Sequence, residues 1–586
     1  MGVLFVLVAG VATATGGAGS ASSREALHAL PHSAKVAKLD SHLVALSGSS
    51  VRVELLASRA DRARALVARE GGRVEASYGG LVEALVPAAS LGALARDPAV
   101  GFVRKPLQPV AEAVRGQGVV STGAASWQKA GARGEGVKIA VVDLGFGGYR
   151  SSQANGDLPA SVVRADFCPS GGFTATSHGT AVAEIVAEMA PGATIYLVCA
   201  QSLAALGQAA EYARAQGIQI VSHSVSWLNT SRGDGNGPAD SPEGIVAAAR
   251  RAGILWVNAA GNRAEQHWSG TFADSNANGW HEFAAGDEGN TIVVPAGGYV
   301  CAALKWDDWP ASAEDYDLYL TRSPSGTIVA ASTNPQTGSE PPTEQACQIN
   351  TSGATETYAI AIRANRISGR PVRFDLFALP GSNLEYRVAD GSVTEPGTSP
   401  AALAVGAVCW RDGGLETYSS RGPTIDGRLK PDLVGPDSVS SFTFGPFGGC
   451  GTSGFAGTSA ATPHVAAAAA LAKQVNPSFG PDELQTYLEE RAIDLGAIGK
   501  DAAFGSGSLA LGAAPRLPLR ACVVPTLVGR RLSKARASIV RAGCRLGQVR
   551  RVRARPRARA GRVLSQRPRP RTRLAPRGRV NLTVGR

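Results

Sequence analysis

The chain has 586 residues, 44% hydrophobic and 6% aromatic, enough to bury cores in roughly three to five domains. Its 71 glycines and 34 prolines make it turn-rich but not collagen-like, and beyond the N-terminus no stretch has the ~18 uninterrupted apolar residues of a membrane helix. The net charge of +12 is unevenly placed: 22 of the 59 Lys and Arg fall in residues 516–586, which hold no Asp or Glu, leaving a body of 37 basic and 47 acidic residues.

The N-terminus, "MGVLFVLVAGVATATGGAGSASS", runs from an apolar stretch into small residues with an Ala-x-Ala at Ala12–Ala14, the pattern of a secretory signal over 1–22. No Lys or Arg precedes the apolar part, so either the signal is atypical or the true start lies upstream. Export makes the even count of eight cysteines a disulfide framework. Pairing of neighbours within each domain is the expectation, and without any Cys-x-x-Cys a zinc cage is not expected.

Residues 48–106 alternate short apolar runs with helical ones: "VRVELLA", then "RADRARALVAREG", "RVEASYG", "LVEALVP", "AASLGALARDPA" and "VGFVRK". This predicts a compact β-α-β-β-α-β unit, followed by a linker from about Pro106 to Gly123. Over 120–284, apolar strands ("VKIAVVD", "TIYLVCA", "IQIVSHSVS", "ILWVNAAG") alternate with helices such as "HGTAVAEIVAEMA" and "LAALGQAAEYARAQG". That alternation predicts an α/β domain, a doubly wound parallel sheet covered on both faces. The pattern breaks over 285–384, where successive strands predict an all-β insert, and resumes over 396–513. Residues 521–586 read as a small α+β unit with a helix capped by Ser533 and stopped by Gly543, set among prolines and arginines.

Three polar residues stand at element ends of the parallel sheet. Asp143 closes "VKIAVVD" at a strand's carboxyl edge, where open α/β sheets build their sites. His178 opens a helix beside a glycine. Ser459 follows Gly457 in "GTSAATPHVA" at a helix N-terminus, where free N–H groups favour negative charge, and Pro463 is expected within the first turn. Taken singly, these are ordinary strand-end and capping residues. Together they are a serine nucleophile, a base of suitable pKa and a carboxylate to fix the base's tautomer.

Four motifs in the order Asp, His, Asn, Ser ("VKIAVVDLGFGG", "SHGTAVAEIVAEMAP", "LWVNAAGN", "GTSAATPHVA") resemble the subtilisin-like serine proteases over about 124–262 and 398–513. The resemblance implies a secreted endopeptidase with Asp143 as orienting carboxylate, His178 as general base and acid, and Ser459 as nucleophile. Asn262 and the Ser459 N–H would hold the oxyanion. Ser224, Val225 and Ser226 would pair with substrate backbone; Ala259, Ala260 and Gly261 would line the specificity pocket, their small size leaving room for a large apolar side chain. His223 and Trp227 depart from the family's usual strand; His223 is expected to be buried and without catalytic role, and His464 to be structural. A sedolisin needs a glutamate base and an oxyanion aspartate, and His178 and Asn262 stand in those places. Residues 48–106 resemble the subtilisin propeptide/inhibitor family, implying a zymogen processed between about Val110 and Gly123. The insert resembles a bacterial prepeptidase β-sandwich, and the tail a PASTA domain, implying a peptidoglycan or anionic cell-wall polymer as partner beside peptide substrates. Arginines without interleaved aromatics argue against specific nucleic-acid recognition. The expected protein is a secreted, wall-associated monomer. No cofactor is required, and structural calcium finds no support: "DSNANG" (274–279) has acidic-amide spacing, but Ala285 stands where such a loop needs Glu. Two other readings are a surface binding protein that no longer cleaves and a protease that processes only itself.

Overall fold

A computed structural model describes residues 38–39, 50–78, 80–104, 116–379, 383–446, 449–450, 454–515, 521–553, 560–575 and 578–585. The signal-like segment and the linker up to residue 115 fall outside them. The chain divides into two compact units, Met1–Val110 and Ala111–Arg586.

In the first unit the strands Ser50–Ala57, Arg73–Tyr78, Leu81–Pro87 and Val100–Arg104 form an antiparallel sheet in the order second, third, first, fourth. Period-two alternation turns Val82, Ala84 and Val86 inward. They pack with Val53, Leu55 and Val103 against Leu66 and Val67 of helix Ala60–Arg69 and Leu94 of helix Leu91–Arg96.

The second unit is built on seven parallel strands: β1 (Lys138–Asp143), β2 (Val163–Asp166), β3 (Thr194–Cys199), β4 (Ile220–His223), β5 (Leu255–Ala259), β6 (Ala402–Cys409) and β7 (Leu433–Asp437). Their spatial order is β2-β3-β1-β4-β5-β6-β7. The inner strands are apolar throughout because both faces are covered. Ile139, Val141, Ile195 and Leu197 face α1 (His178–Met189) and α4 (Thr458–Val475). The alternate residues Ala140, Val142, Tyr196 and Val198 face α2 (Leu203–Ala215) and α3 (Pro242–Arg251). Chain progression reverses between β1 and β4, and the crevice at their carboxyl ends is where such sheets place sites.

Two four-stranded antiparallel sheets interrupt this domain. One joins His267–Thr271, Arg373–Leu379, Tyr299–Trp306 and Thr343–Ile349; the other joins Asn290–Val294, Glu356–Arg366, Asp315–Arg322 and Thr327–Ser332. They enclose a core containing Trp268, Trp306, Tyr316, Tyr358 and Phe374. The sandwich begins at His267, ahead of residue 285 where the sequence pattern places its start. A five-residue strand reading His-Trp-Ser-Gly-Thr carries too little alternation to mark itself.

At the C-terminus a helix, Leu532–Arg541, lies beside the strands Arg545–Val552, Val563–Arg567 and Arg579–Gly585. Ser533 does not cap this helix: it lies inside it, and Arg531 occupies the cap position without a side-chain bond. Four disulfides join cysteines that neighbour each other in sequence, Cys168–Cys199, Cys301–Cys347, Cys409–Cys450 and Cys522–Cys544. No helix among the described residues is long and apolar enough to cross a membrane.

Candidate active site

Strand β1 carries Asp143 to the sheet's carboxyl edge, fully buried, and α1 opens on His178 directly above it. Nδ1 of His178 lies 2.9 Å from both carboxylate oxygens of Asp143, and Oδ1 also accepts the Leu144 N–H at 2.8 Å. A carboxylate on Nδ1 makes that nitrogen the donor and leaves Nε2 with its lone pair outward. Gly179 permits the approach: a Cβ there would stand 2.6 Å from the Gly145 carbonyl oxygen and 2.8 Å from Asp143 Cβ. Burial pulls the His178 pKa down, but the charge and hydrogen bond of Asp143 together outweigh it and hold it above the ordinary imidazole range. The histidine side chain remains 28% exposed, with the Phe455 ring edge-on at 5.6 Å.

Ser459 reaches the same edge from α4. Gly457, at φ 116°, holds the cap position, and the helix begins at Thr458 without a side-chain cap. Ser459 therefore sits inside the first turn with its hydroxyl unused by the backbone of its own helix. Pro463 lies past the first turn, not within it as the sequence suggests. Lacking an N–H, it leaves the Ser459 carbonyl, four residues back, without its helical donor. The Ser224 hydroxyl takes that place at 3.0 Å, and the Ser459 hydroxyl donates to the Ser224 carbonyl at 3.3 Å. Ser224 directly follows His223, which pairs with Val142 beside Asp143, so the serine exchange fixes Ser459 at the β1–β4 crevice. No hydrogen bond among the described residues yet joins Ser459 to His178.

Asn262, just beyond β5, packs against the start of α4. Its Oδ1 accepts from the Thr458 N–H at 2.9 Å and the Thr458 hydroxyl at 2.8 Å. Its Nδ2 is turned to Gly457, where a Cβ would stand only 2.9 Å away. The Ser459 N–H, in the first turn, has no intramolecular acceptor among the described residues. A buried carboxylate–imidazole pair, a serine and two amide donors thus meet at one end of one sheet.

Residues 134–507 match the family model described as the subtilase family. The chain belongs to the subtilase family. It is similar to bacillopeptidase F of Bacillus subtilis, 27% identical over 238 residues (39% of this chain, 15% of that one). It is also similar to alkaline elastase YaB of a Bacillus species, 36% identical over 126 residues (22% and 30%), and to subtilisin Savinase of Lederbergia lenta, 34% identical over 126 residues (22% and 42%). The alignments span less than half the length of each of these relatives.

In this subtilase a residue that sequence reasoning missed, Thr394, ties the segment 224–226 to the segment 259–261. The Thr394 N–H donates to the Ala260 carbonyl at 3.0 Å, and its hydroxyl lies 2.8 Å from Ser226 Oγ and 3.2 Å from the Ala260 carbonyl. A Cβ on Gly261 would come within 2.8 Å of that hydroxyl. Thr394 is buried, 1% exposed, where the two segments come together. Its signal in sequence is slight, because "TEPGTS" reads as a turn.

His223 is buried, with Nδ1 2.6 Å from Asn258 Oδ1 and its ring edge-on to Trp256. Burial lowers its pKa to about 4, so it is neutral at ordinary pH. His464 is likewise buried and lowered to about 4, its Nδ1–H given to the Ala460 carbonyl one turn back at 2.8 Å. The 274–279 loop spends its oxygens on its own backbone: Asp274 accepts from the Asn278 and Gly279 N–H groups, and Asn278 from Trp280.

Proposed function

We propose that this subtilase is an exported serine endopeptidase, made with an inhibitor-like N-terminal prosegment that is removed by self-cleavage. The observation that carries the reading is the Asp143–His178 pair at 2.9 Å beside a serine freed from capping at a helix N-terminus. Rotation of the Ser459 hydroxyl from the Ser224 carbonyl to His178 Nε2 readies the nucleophile. Oγ attacks the peptide carbonyl carbon as its proton passes to Nε2, and Asp143 stabilises the imidazolium formed. The C–N bond then breaks as Nε2 returns that proton to the leaving amine. Water, activated by the same nitrogen, releases the acid and restores the serine.

The oxyanion of each tetrahedral intermediate accepts from Asn262 Nδ2 and the Ser459 N–H. Asn262→Ala is expected to lower kcat about 10²–10³-fold with little change in KM, the loss that follows removal of one such donor in subtilisin itself; peptide kinetics at fixed pH check it. Segments 224–226 and 259–261 are read as the walls of the specificity pocket, and Thr394, bonded to both, narrows it toward small side chains before the scissile bond, in place of the large apolar side chain that small wall residues alone would admit. The test of the whole reading is casein turnover in trans by the matured secreted chain. Turnover excludes both the inactive binding protein and the enzyme that processes only itself; its absence from a correctly matured sample overturns the proposal.

For the tail, the reading is retention on an anionic wall polymer. Residues 516–586 hold no side-chain carboxylate, so the arginines have no carboxylate side chain to pair with in the segment, and Arg545, Arg550, Arg551 and Arg579 on strands 545–552 and 579–585 are exposed. Full-length Ser459→Ala protein is expected to bind a phosphate-bearing polymer at low salt and to leave it by about 0.5 M, where screening is nearly complete. Binding to purified peptidoglycan that survives such salt would replace charge with shape recognition.

A further inference from the structure

The β-sandwich insert contacts the catalytic domain directly beside Thr394. Lys305, near the end of insert strand Tyr299–Trp306, is 5% exposed, and its Nζ lies 2.5 Å from Oε1 of Glu395, which is 1% exposed. Nζ also donates to the Ser231 carbonyl at 3.3 Å. Burial opposes the charge on Lys305, but Glu395 and Asp375 outweigh it and hold the ammonium above its ordinary range. Glu395 is the residue after Thr394, and its carbonyl accepts the N–H of Trp227 at 2.9 Å, directly after the wall 224–226. A second clasp lies two residues further on, where the Asn229 amide donates to the Leu304 and Glu344 carbonyls of the insert at 3.1 and 3.3 Å.

This stretch therefore has two supports. Thr394 bonds forward to the segments 224–226 and 259–261, and the adjoining Glu395 is held from behind by a cation that belongs to the insert. An ion pair so buried is costly to desolvate and gives little net stability over an apolar pair of the same shape. What it supplies here is a fixed position. We infer that the insert is part of the substrate-recognition apparatus, with Lys305 acting as a positioning residue that sets, through Glu395, where Thr394 closes the pocket. The inference rests on the protease reading of the site.

The test is kcat, KM and side-chain preference, measured with peptides that differ only in Ala or Phe before the scissile bond. Thr394→Gly, which removes the narrowing side chain outright, calibrates the direction by raising acceptance of Phe. Lys305→Met is expected to move preference the same way, lowering kcat/KM for the Ala peptide about 10–100-fold, the larger share in KM, since small misplacements at a site are costly. Lys305→Met/Glu395→Gln removes the stranded charge and is expected to recover thermal stability while preference stays altered. If Lys305→Met does not fold, that double variant and Asn229→Ala are judged by the same preference ratio. An Ala/Phe ratio and KM equal to those of the unaltered chain, whatever happens to stability, overturn the inference. An unaltered chain that cleaves neither peptide would instead overturn the protease reading, so the two failures are distinct.

Discussion

Replacing Ser459 with alanine is expected to lower kcat by about 10⁶-fold, the scale on which loss of the nucleophile acts in subtilisin, while leaving some 10³–10⁴-fold of catalysis over water. The residue survives as a backbone donor: on the proposed mechanism the residue 459 N–H and Asn262 Nδ2 remain to hold the oxyanion. The fold should be indifferent to the change. Alanine is the best helix former, and the only side-chain bond lost among the described residues is a 3.3 Å contact with the Ser224 carbonyl. The reverse bond, from the Ser224 hydroxyl to the backbone carbonyl of residue 459, does not need the serine side chain. Thermal unfolding beside peptide kinetics checks both halves, a collapse of turnover and an unfolding temperature moved by no more than a degree or two.

Asp143→Asn is expected to lower kcat by about 10⁴-fold and to move the acid limb of the pH profile downward. The magnitude follows from the tautomer: an amide can offer an N–H to His178 Nδ1, which puts the imidazole proton on Nε2 and disables the base. The direction follows from charge. In the intact site burial pulls the His178 pKa down and Asp143 more than restores it, so activity, which needs neutral imidazole, rises with pH through a value above the ordinary ~6.5. Without the carboxylate only burial remains, and the limb falls. The same shift has a stability signature of the usual sign for a raised histidine. The imidazolium–carboxylate pair stabilises the folded chain fully below the unfolded imidazole pKa, and that contribution disappears as pH climbs through the folded one. Asp143→Asn should flatten that slope, which denaturant unfolding across pH 5–9 would reveal.

The sheet and the first two site residues were legible because local pattern and global position agree. A six-residue apolar strand ending on a lone carboxylate, and a small-residue helix opening on histidine, each announce the carboxyl edge of a parallel sheet. Ser459 was legible as a helix start but not in its detail. Gly457, not the serine, holds the cap, and the purpose of Pro463 depends on Ser224, 235 residues away from Ser459 in sequence. Thr394 escaped for the same reason, since only the closed fold brings it to segments 130 and more residues upstream. In the insert, strand Thr343–Ile349 carries little apolar signal because its inward positions are Glu344 and Ala346. Glu344 is satisfied by the Ser332 hydroxyl and the Asn334 and Gln336 amides, contacts no window of sequence reveals. The strand Arg545–Val552 is rich in arginine, and that these residues point outward shows only once Val580 and Leu582 of the neighbouring strand are seen to fill the core.

The central claim is that Asp143, His178 and Ser459 work as one reactive unit. Its most direct test is covalent: a fluorophosphonate incubated with the secreted, matured chain, followed by peptide mapping in a mass spectrometer. The account predicts one phosphonylated residue, Ser459, with labelling slowed by orders of magnitude in His178→Ala. Labelling that is absent, that falls on another serine, or that proceeds at the same rate without His178 would contradict it.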